Sequence, residues 1–201
     1  MAARAVGLDD RQVTLTCATM SIQLLTPYGL VRIFDEPTYH VGSRDNAREY
    51  QRYVSLADNL PTSVHGVEIN GSLICAIGAA GGCSAVHQRS VAVASDRMVV
   101  AVGDHVACLS LNASQAYALL WATCVDDATC FGVYWDERRQ AIFSHGELQI
   151  MRLTADGVQV WSASGADVFS EGFSLHEDYV EAVDFNHRVY RFDYELGELI
   201  S

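Results

Sequence analysis

The sequence contains no lysine: all 13 of its basic residues are arginines, against 25 acidic residues. The absence of lysine excludes Schiff-base chemistry and the phosphate-binding loops that depend on a lysine. The net charge of −12 opposes binding to nucleic acid, because that binding requires cationic side chains that displace counterions from the phosphate backbone. We therefore expect no nucleic-acid partner, and we expect any charged partner to be basic.

Long apolar runs are also missing. The longest weakly polar stretch, "SLICAIGAAGGCSAV", is shorter than the ~18–20 apolar residues that span a bilayer, and glycines interrupt it. The N-terminus, "MAARAVGLDDR", carries acidic residues where a signal peptide has its apolar segment. These features predict a cytoplasmic protein with no membrane partner. In that compartment the six cysteines are expected to stay free thiols.

Familiar catalytic motifs are absent as well. The sequence has neither a G-x-S-x-G nucleophile elbow nor an H-E-x-x-H metal motif. The glycine-rich run "GAAGGCS" at 78–84 follows a predicted strand, but no helix pattern and no lysine follow it, so we interpret it as the turn between the third and fourth strands of the second repeat unit. Cys124 and Cys130 are too far apart for a Cys-x-x-Cys redox pair.

What the sequence does contain is a repeated hairpin. Three segments align: "RMVVAVGDHVACLSL", "RQAIFSHGELQIMRL" and "YVEAVDFNHRVYRFDY". Each has two alternating apolar runs around a short turn rich in Gly, His or Asn, the strongest local signal for a β-hairpin. Two earlier copies are "VHGVEINGSLICAIG" and "SIQLLTPYGLVRIF". The predicted turns are Gly103-Asp104, His145-Gly146, Asn186-His187, Asn70-Gly71 and a slightly longer turn ending at Gly29.

The spacing of these hairpins predicts the fold. Counted from 29, 71, 104, 146 and 187, the intervals are 42, 33, 42 and 41 residues, with further strand-like runs between them. Four-stranded units at this period are typical of a β-propeller. We predict an all-β fold, a small β-propeller of about five four-stranded units forming a single domain over 1–201. The alternatives are an open propeller-like arc or a distorted β-sandwich.

Two expectations follow from this register. Trp121 and Trp161 occupy matching places in the outermost strands of their units, and we expect both to pack between neighbouring blades. The last unit has only "LGELIS" left for its outermost strand, and an unpaired edge invites aggregation. We therefore expect an N-terminal segment within residues 1–17 to pair with the last blade.

The stretch "LTADGVQVW", and more loosely "LSLNASQAYALLW" and "FDYELGELI", resembles the repeats of pyrroloquinoline-quinone-type propellers. The resemblance covers roughly residues 90–201. It implies a fold and not a ligand, because these copies lack most of the family's consensus. We therefore expect no cofactor.

The predicted fold also places loops on a common face, and loops on a rigid scaffold are where binding usually resides. In each unit, the turn between the second and third strands and the connection to the next unit emerge at one end, which collects mostly acidic residues. This predicts a non-enzymatic protein-binding module, of adaptor or antitoxin-like kind, with a basic partner. The candidate binding residues are Asp104, His105, Asp126, Asp127, His145, Glu147, Asp167 and His187; Glu171 and Arg188 lie on the same face.

Two other interpretations were weighed. His105, His145 and His187 lie near equivalent turns, but their alignment is not symmetric and blade turns radiate around a ring, so we predict turn residues and no metal site. The alternative function is a glycosidase-like hydrolase with paired acids at the central channel, for which Asp136 and Glu177 are the candidates. Both adjoin predicted solvated turns, and the sequence favours the binding module.

Overall fold

The computed structural model of the chain describes the backbone of residues 14–17 and 20–200 and the side chains of residues 21–200. Apart from one 3₁₀ turn at Ala113–Gln115, the regular structure in this part of the chain is β-strand. The strands are β1 (Thr14–Cys17), β2 (Met20–Thr26), β3 (Gly29–Asp35), β4 (Arg52–Ser55), β5 (Ser63–Ile69), β6 (Ser72–Ala79), β7 (Val91–Ala94), β8 (Arg97–Val102), β9 (His105–Ser110), β10 (Leu119–Cys124), β11 (Cys130–Asp136), β12 (Ala141–Gly146), β13 (Gln149–Thr154), β14 (Gln159–Ser164), β15 (Phe173–Leu175), β16 (Tyr179–Val183) and β17 (Val189–Asp193).

These strands form four sheets in chain order. The first has the order β1-β2-β3-β5-β6-β4, in which β4 is parallel to β6 and the other pairs are antiparallel. The second and third sheets are four-stranded meanders, β7 to β10 and β11 to β14. The fourth contains β15, β16 and β17, and a bridge between Phe192 and Leu199 adds the start of a further strand. The predicted all-β, propeller-like fold is confirmed.

The number of units differs from the prediction of about five. The first two predicted hairpins are not separate units, because β3 pairs with β5 and joins them into one sheet. Strands β2, β3, β5 and β6 take the four successive positions of a blade, and residues 36–62 are an insertion between its second and third strands. The turns ending at Gly29 and at Asn70-Gly71 therefore connect different positions from the turn at Gly103-Asp104. Hairpin spacing alone did not distinguish these positions.

The sheets stack face to face. Successive side chains of a strand point to opposite faces of its sheet, so one strand can pack against two neighbouring sheets. Met98, Val100 and Val102 of β8 pack against the first sheet, whereas Val99 and Ala101 face the third. The third sheet in turn packs its other face, including Phe143, against the fourth. All of β8 after Arg97 is buried, because a strand between two sheets has no solvent-facing side.

Both tryptophans dock onto the next sheet, as predicted. The Trp121 indole Nε1 donates to the carbonyl of Ala155 at 3.2 Å, and Trp161 Nε1 donates to the carbonyl of Tyr194 at 3.0 Å. Each ring covers a glycine with positive φ, Gly157 or Gly197, at which a Cβ atom would lie less than 3 Å from the ring. Trp161 is buried, and Trp121 is half-buried. The pattern recurs because each outer strand meets the same turn of the following sheet.

Three further expectations meet a different outcome. The third-sheet turn lies at residues 147–148, and His145 and Gly146 belong to β12. The run at 78–84 ends β6 and begins the connection to the second sheet, since β6 already fills the fourth blade position. Residues 14–17 pair with β2 in the first sheet and not with the last one, and residues 1–13 lie outside the described part of the chain.

No helix in the described residues is long and apolar enough to cross a membrane.

Candidate functional site

The loops at one end of the sheets, which we call the loop end, are joined into one surface. This end comprises the turns at 103–104, 147–148 and 184–188, the connections 80–90, 125–129 and 165–172, and the ends of the 36–62 insertion. A series of backbone hydrogen bonds, some within one sheet and some between sheets, joins these loops: Asp104 N to Ala80 O, Val125 N to Asp104 O, Glu147 N to Thr129 O, Phe169 N to Glu147 O and Phe185 N to Val168 O. The scaffold therefore holds these loops together.

The eight predicted site residues all lie at this end, but at different depths. Asp127, Asp167 and His187 are exposed, and Asp104, His105 and Glu147 are half-buried. Asp126 and His145 are buried. The first six can contact a partner directly, whereas the last two contribute to the support beneath the surface.

Asp126 fastens two loops from inside the protein. Its Oδ1 accepts the backbone N–H of Ala128 at 2.7 Å, and its Oδ2 accepts those of Leu148 and Gln149 at 2.9 and 3.0 Å. Burial raises the pKa of this carboxyl, and the three backbone donors act in the opposite direction. The expectation of an exposed turn charge is wrong here, because the 125–129 connection folds over the third-sheet turn and needs an acceptor for its free N–H groups.

His145 is a buried aromatic contact rather than a surface group. Its ring stacks on Phe173 at 5.1 Å and meets Phe131 edge-on at 5.8 Å between ring centroids. Burial lowers the pKa of His145 to about 4, so the imidazole is neutral at pH 7. Its Nε2 atom is buried without a hydrogen-bond partner. Because the turn lies two residues further along than predicted, His145 faces the sheet interior.

Asp104 and His105 form a close pair at the rim of the second sheet. His105 Nδ1 lies 2.6 Å from Asp104 Oδ1, and both side chains are mostly shielded from solvent. Cys124, at the end of β10, is the direct cross-strand partner of His105 and was not among the predicted site residues. The register of β9 and β10 would have predicted that Cys124 lies opposite His105. A bulge at Leu119/Trp121 shifts that register by one residue, so counting along the sequence does not give the pairing.

The opposite end of the sheets is closed by arginines. Arg97 donates to Asp156 Oδ1 at 2.8 Å and Arg138 to Glu177 Oε1 at 3.2 Å. Arg152 pairs with Glu195 and also donates to the carbonyl of Tyr194 at 3.2 Å. Asp156, Glu177 and Glu195 are thus used in contacts between neighbouring sheets.

The two candidates for a glycosidase-like acid pair belong to this opposite end. Asp136 Oδ2 accepts the hydroxyl of Tyr194 at 2.6 Å and also faces Arg139. Glu177 is exposed in its ion pair with Arg138. Each carboxylate thus has a packing partner from the neighbouring sheet, and no observation favours catalysis by this pair.

The loop end differs in its electrostatics. In residues 21–200, the carboxylates of Asp127, Glu147, Asp167 and Glu171 form no ion pair with an arginine. Asp167 instead accepts the side-chain amide of Asn186 at 2.6 Å, which leaves its charge uncompensated. In the described residues these four carboxylates are thus without an arginine partner, and they lie on loops that hydrogen bonds join together.

Comparisons with known proteins support the fold. No protein-family model and no curated protein sequence matches this chain. Among solved structures it is similar to a europium-containing methanol dehydrogenase, with a TM-score of 0.48, 20% identity and coverage of 60% of this chain and 24% of that one. BamB from Moraxella catarrhalis matches with a TM-score of 0.45 and 17% identity over 100% of this chain and 66% of that one. The computationally designed Ika8 protein matches with a TM-score of 0.50 and 11% identity over 94% of this chain and 59% of that one.

The successive, mostly antiparallel sheets that pack face to face confirm, at the level of the fold, the resemblance to propeller repeats in the sequence. The chain spans only 24% of the dehydrogenase's length. At these identities the likeness concerns the arrangement of strands alone, and the function must be argued from the residues of this chain.

Proposed function

We propose that this protein is a non-enzymatic binding module, of adaptor or antitoxin-like kind, whose loop end binds a basic segment of a protein partner. One observation carries the proposal. Asp156, Glu177 and Glu195 at the opposite end pair with arginines from neighbouring sheets, whereas Asp127, Glu147, Asp167 and Glu171 at the loop end have no such partners. Their charge is available to a second molecule.

The physical basis is electrostatic complementarity on a fixed scaffold. Unpaired carboxylates on one face attract a cationic partner over distances of about 8–10 Å at ordinary salt and accelerate its encounter. The hydrogen bonds between Glu147, Phe169 and their neighbouring loops hold the acids in a fixed arrangement, so binding requires little ordering of the loops. Arginine or lysine side chains of the partner would pair with the loop-end carboxylates, as the protein's own arginines pair with carboxylates at the opposite end.

The test compares two charge-matched variants. The loop-end variant combines Asp127→Asn with Glu171→Gln, and the control combines Asp178→Asn with Glu137→Gln at the opposite end. All four residues are exposed, and each variant removes one aspartate and one glutamate charge. Exposed substitutions of this kind change stability by less than about 0.5 kcal/mol, so both variants should fold like the parent.

Parent, loop-end variant and control are each immobilised and used to capture proteins from a lysate, with quantitative mass spectrometry of what elutes as salt rises from about 0.05 to 0.5 M. We expect a basic protein that the parent and the control retain and the loop-end variant loses. Association rates of that purified partner should fall several-fold for the loop-end variant only. Equal retention by the three proteins, or loss in the control alone, would contradict the proposal.

A further inference from the structure

Three side chains of metal-ligand type converge at the rim of the second sheet. Asp104 Oδ, a ring nitrogen of His105 and Cys124 Sγ all lie within 4.8 Å of one another. We propose that these three residues form a binding site for a zinc-type divalent transition-metal ion, with water as the fourth ligand. This inference is independent of the binding function proposed above.

The convergence follows from the register of the sheet. His105 begins β9 and Cys124 ends β10, and the two residues are directly opposite in an antiparallel pair, where side chains on one face are nearest neighbours. Asp104 precedes His105 in the two-residue turn. Three ligands therefore come from one turn and the strand end beside it, which brings them together without any long loop.

The turn itself is fixed by its surroundings. Asp104 N donates to the carbonyl of Ala80, and Asp104 O accepts from Val125 N. Gly81, with φ of +83°, packs so closely that a Cβ atom there would lie 2.7 Å from Asp104 Cβ. The ligand set is thus held from two sides by connections to the neighbouring sheets, which limits the cost of ordering it around an ion.

The distances suit a tetrahedral ion after a small adjustment. With Zn–N and Zn–O near 2.0–2.2 Å and Zn–S near 2.3 Å, ligand atoms stand about 3.3–3.8 Å apart. No pair of ligand atoms must close by more than about 1 Å, and the Asp104–His105 contact of 2.6 Å must open by about 0.7 Å or more. His105 Nδ1 faces Asp104, so the ion takes Nδ1 while the ring proton moves to Nε2, and the Cys124 thiol releases its proton to solvent.

The ligand types and the local charge define the class of ion. A thiolate and an imidazole select borderline or soft ions such as Zn²⁺ or Co²⁺ over Mg²⁺ and Ca²⁺, which require oxygen ligands. The Cys124 thiol donates to the backbone carbonyl of Asp126 at 3.4 Å, which places it beside the two consecutive aspartates of the 125–129 connection. Cys124 is exposed at the rim, so water can reach the fourth position.

The test uses Co²⁺ as a probe. Titration of the reduced, chelator-treated protein should produce the visible bands of a four-coordinate ion and a near-ultraviolet band from the thiolate, and Zn²⁺ should displace both. Cys124→Ala should abolish the thiolate band, and His105→Ala should weaken Co²⁺ binding by about tenfold or more. Cys83→Ala removes the other exposed described cysteine and should leave the spectrum unchanged.

Zn²⁺ binding should also raise the melting temperature of the parent and of Cys83→Ala, but not that of Cys124→Ala or His105→Ala. Melting in the presence of chelator shows whether each variant is folded before metal is added. If the parent shows no visible Co²⁺ bands, or if Cys124→Ala keeps the thiolate band while Cys83→Ala loses it, the proposed site is wrong. The spectra are recorded on the parent, Cys83→Ala, Cys124→Ala and His105→Ala, none of which carries the loop-end substitutions, so the two proposals are tested separately.

Discussion

The two ends of the sheets are held together by different interactions. At the loop end, backbone groups and the buried carboxylate of Asp126 join the loops, and the exposed acids remain unpaired. At the opposite end, side chains form the joints: the indoles of Trp121 and Trp161 and the guanidinium groups of Arg97 and Arg152 all reach the next sheet. Where side chains are used in packing, their charge is neutralised. Where backbone groups join the loops, the exposed carboxylates stay unpaired.

The largest expected effect concerns an indole of the opposite end. Trp161→Ala removes a buried aromatic side chain and its hydrogen bond to Tyr194 O, and should lower the free energy of unfolding by about 3–5 kcal/mol. Trp121→Ala should cost less, because Trp121 is only half-buried. Urea denaturation of the two variants measures both values. If both variants lose the same free energy of unfolding, the contribution of these indoles does not depend on their burial. If Trp161→Ala is as stable as the parent, the contact of Trp161 with the next sheet does not stabilise the protein.

Glycine beneath an indole gives the next effect. Gly157→Ala forces a Cβ into the Trp121 ring at a positive φ and should cost about 2–4 kcal/mol. Gly42 has nearly the same φ of +78° but no atom within 4 Å of a built Cβ, so Gly42→Ala should cost only about 1–2 kcal/mol of backbone strain. The difference between the two melting curves isolates the contact with the ring. If Gly157→Ala and Gly42→Ala destabilise the protein equally, the cost comes from the strained backbone alone and the contact with the ring contributes nothing.

Acid should weaken the loop end through His145. Its folded pKa of about 4 lies below the value of 6.5 expected when the chain is unfolded, so the unfolded state binds the extra proton first as pH falls. Stability from the neutral ring is complete above pH 6.5 and is lost progressively down to pH 4, by about 3 kcal/mol.

His145→Phe keeps a ring between Phe131 and Phe173 and has nothing to protonate. As the pH falls from 6.5 to 4, the parent should therefore lose unfolding free energy relative to the variant. Denaturation at several pH values measures this gap. A gap that is independent of pH would mean that His145 is accessible to protons in the folded state.

The smallest comparison uses adjacent aspartates at the loop end. Asp126→Asn replaces a carboxylate that accepts three backbone N–H groups with an amide that has one acceptor oxygen, and should cost about 1–3 kcal/mol. Asp127→Asn alters an exposed side chain and should change stability by less than about 0.5 kcal/mol. If both variants melt alike, the carboxylate of Asp126 does not fasten the loops.

Much of the fold could be predicted from the sequence. Apolar alternation and the turn residues predicted one hairpin in each of the last three sheets, namely β8-β9, β12-β13 and β16-β17. The matching positions of Trp121 and Trp161 also predicted the contacts between sheets. These features are local, since a period of two and a residue that tolerates positive φ are visible without knowing what packs against the strand.

The first sheet shows where this reasoning stops. Its two hairpins have the same local pattern as the others, and only the pairing of β3 with β5 makes them halves of one blade. The insertion at 36–62 has no sustained alternation, yet its β4 joins the sheet edge in parallel, and Tyr50 packs on the outer face with its hydroxyl 2.6 Å from Glu36. Which strand becomes a neighbour depends on long-range contacts that a local pattern does not encode.

The sequence by itself determined an all-β chain with repeated hairpins, an excess of acid and a common end for the turns. Tertiary structure decided the depth of each site residue: Asp126 and His145 became internal supports, while Asp127 and Asp167 stayed on the surface. It also brought Cys124 beside His105. The physical reason is that burial of a polar side chain depends on which loop or strand folds over it, and that is fixed only when the sheets pack together.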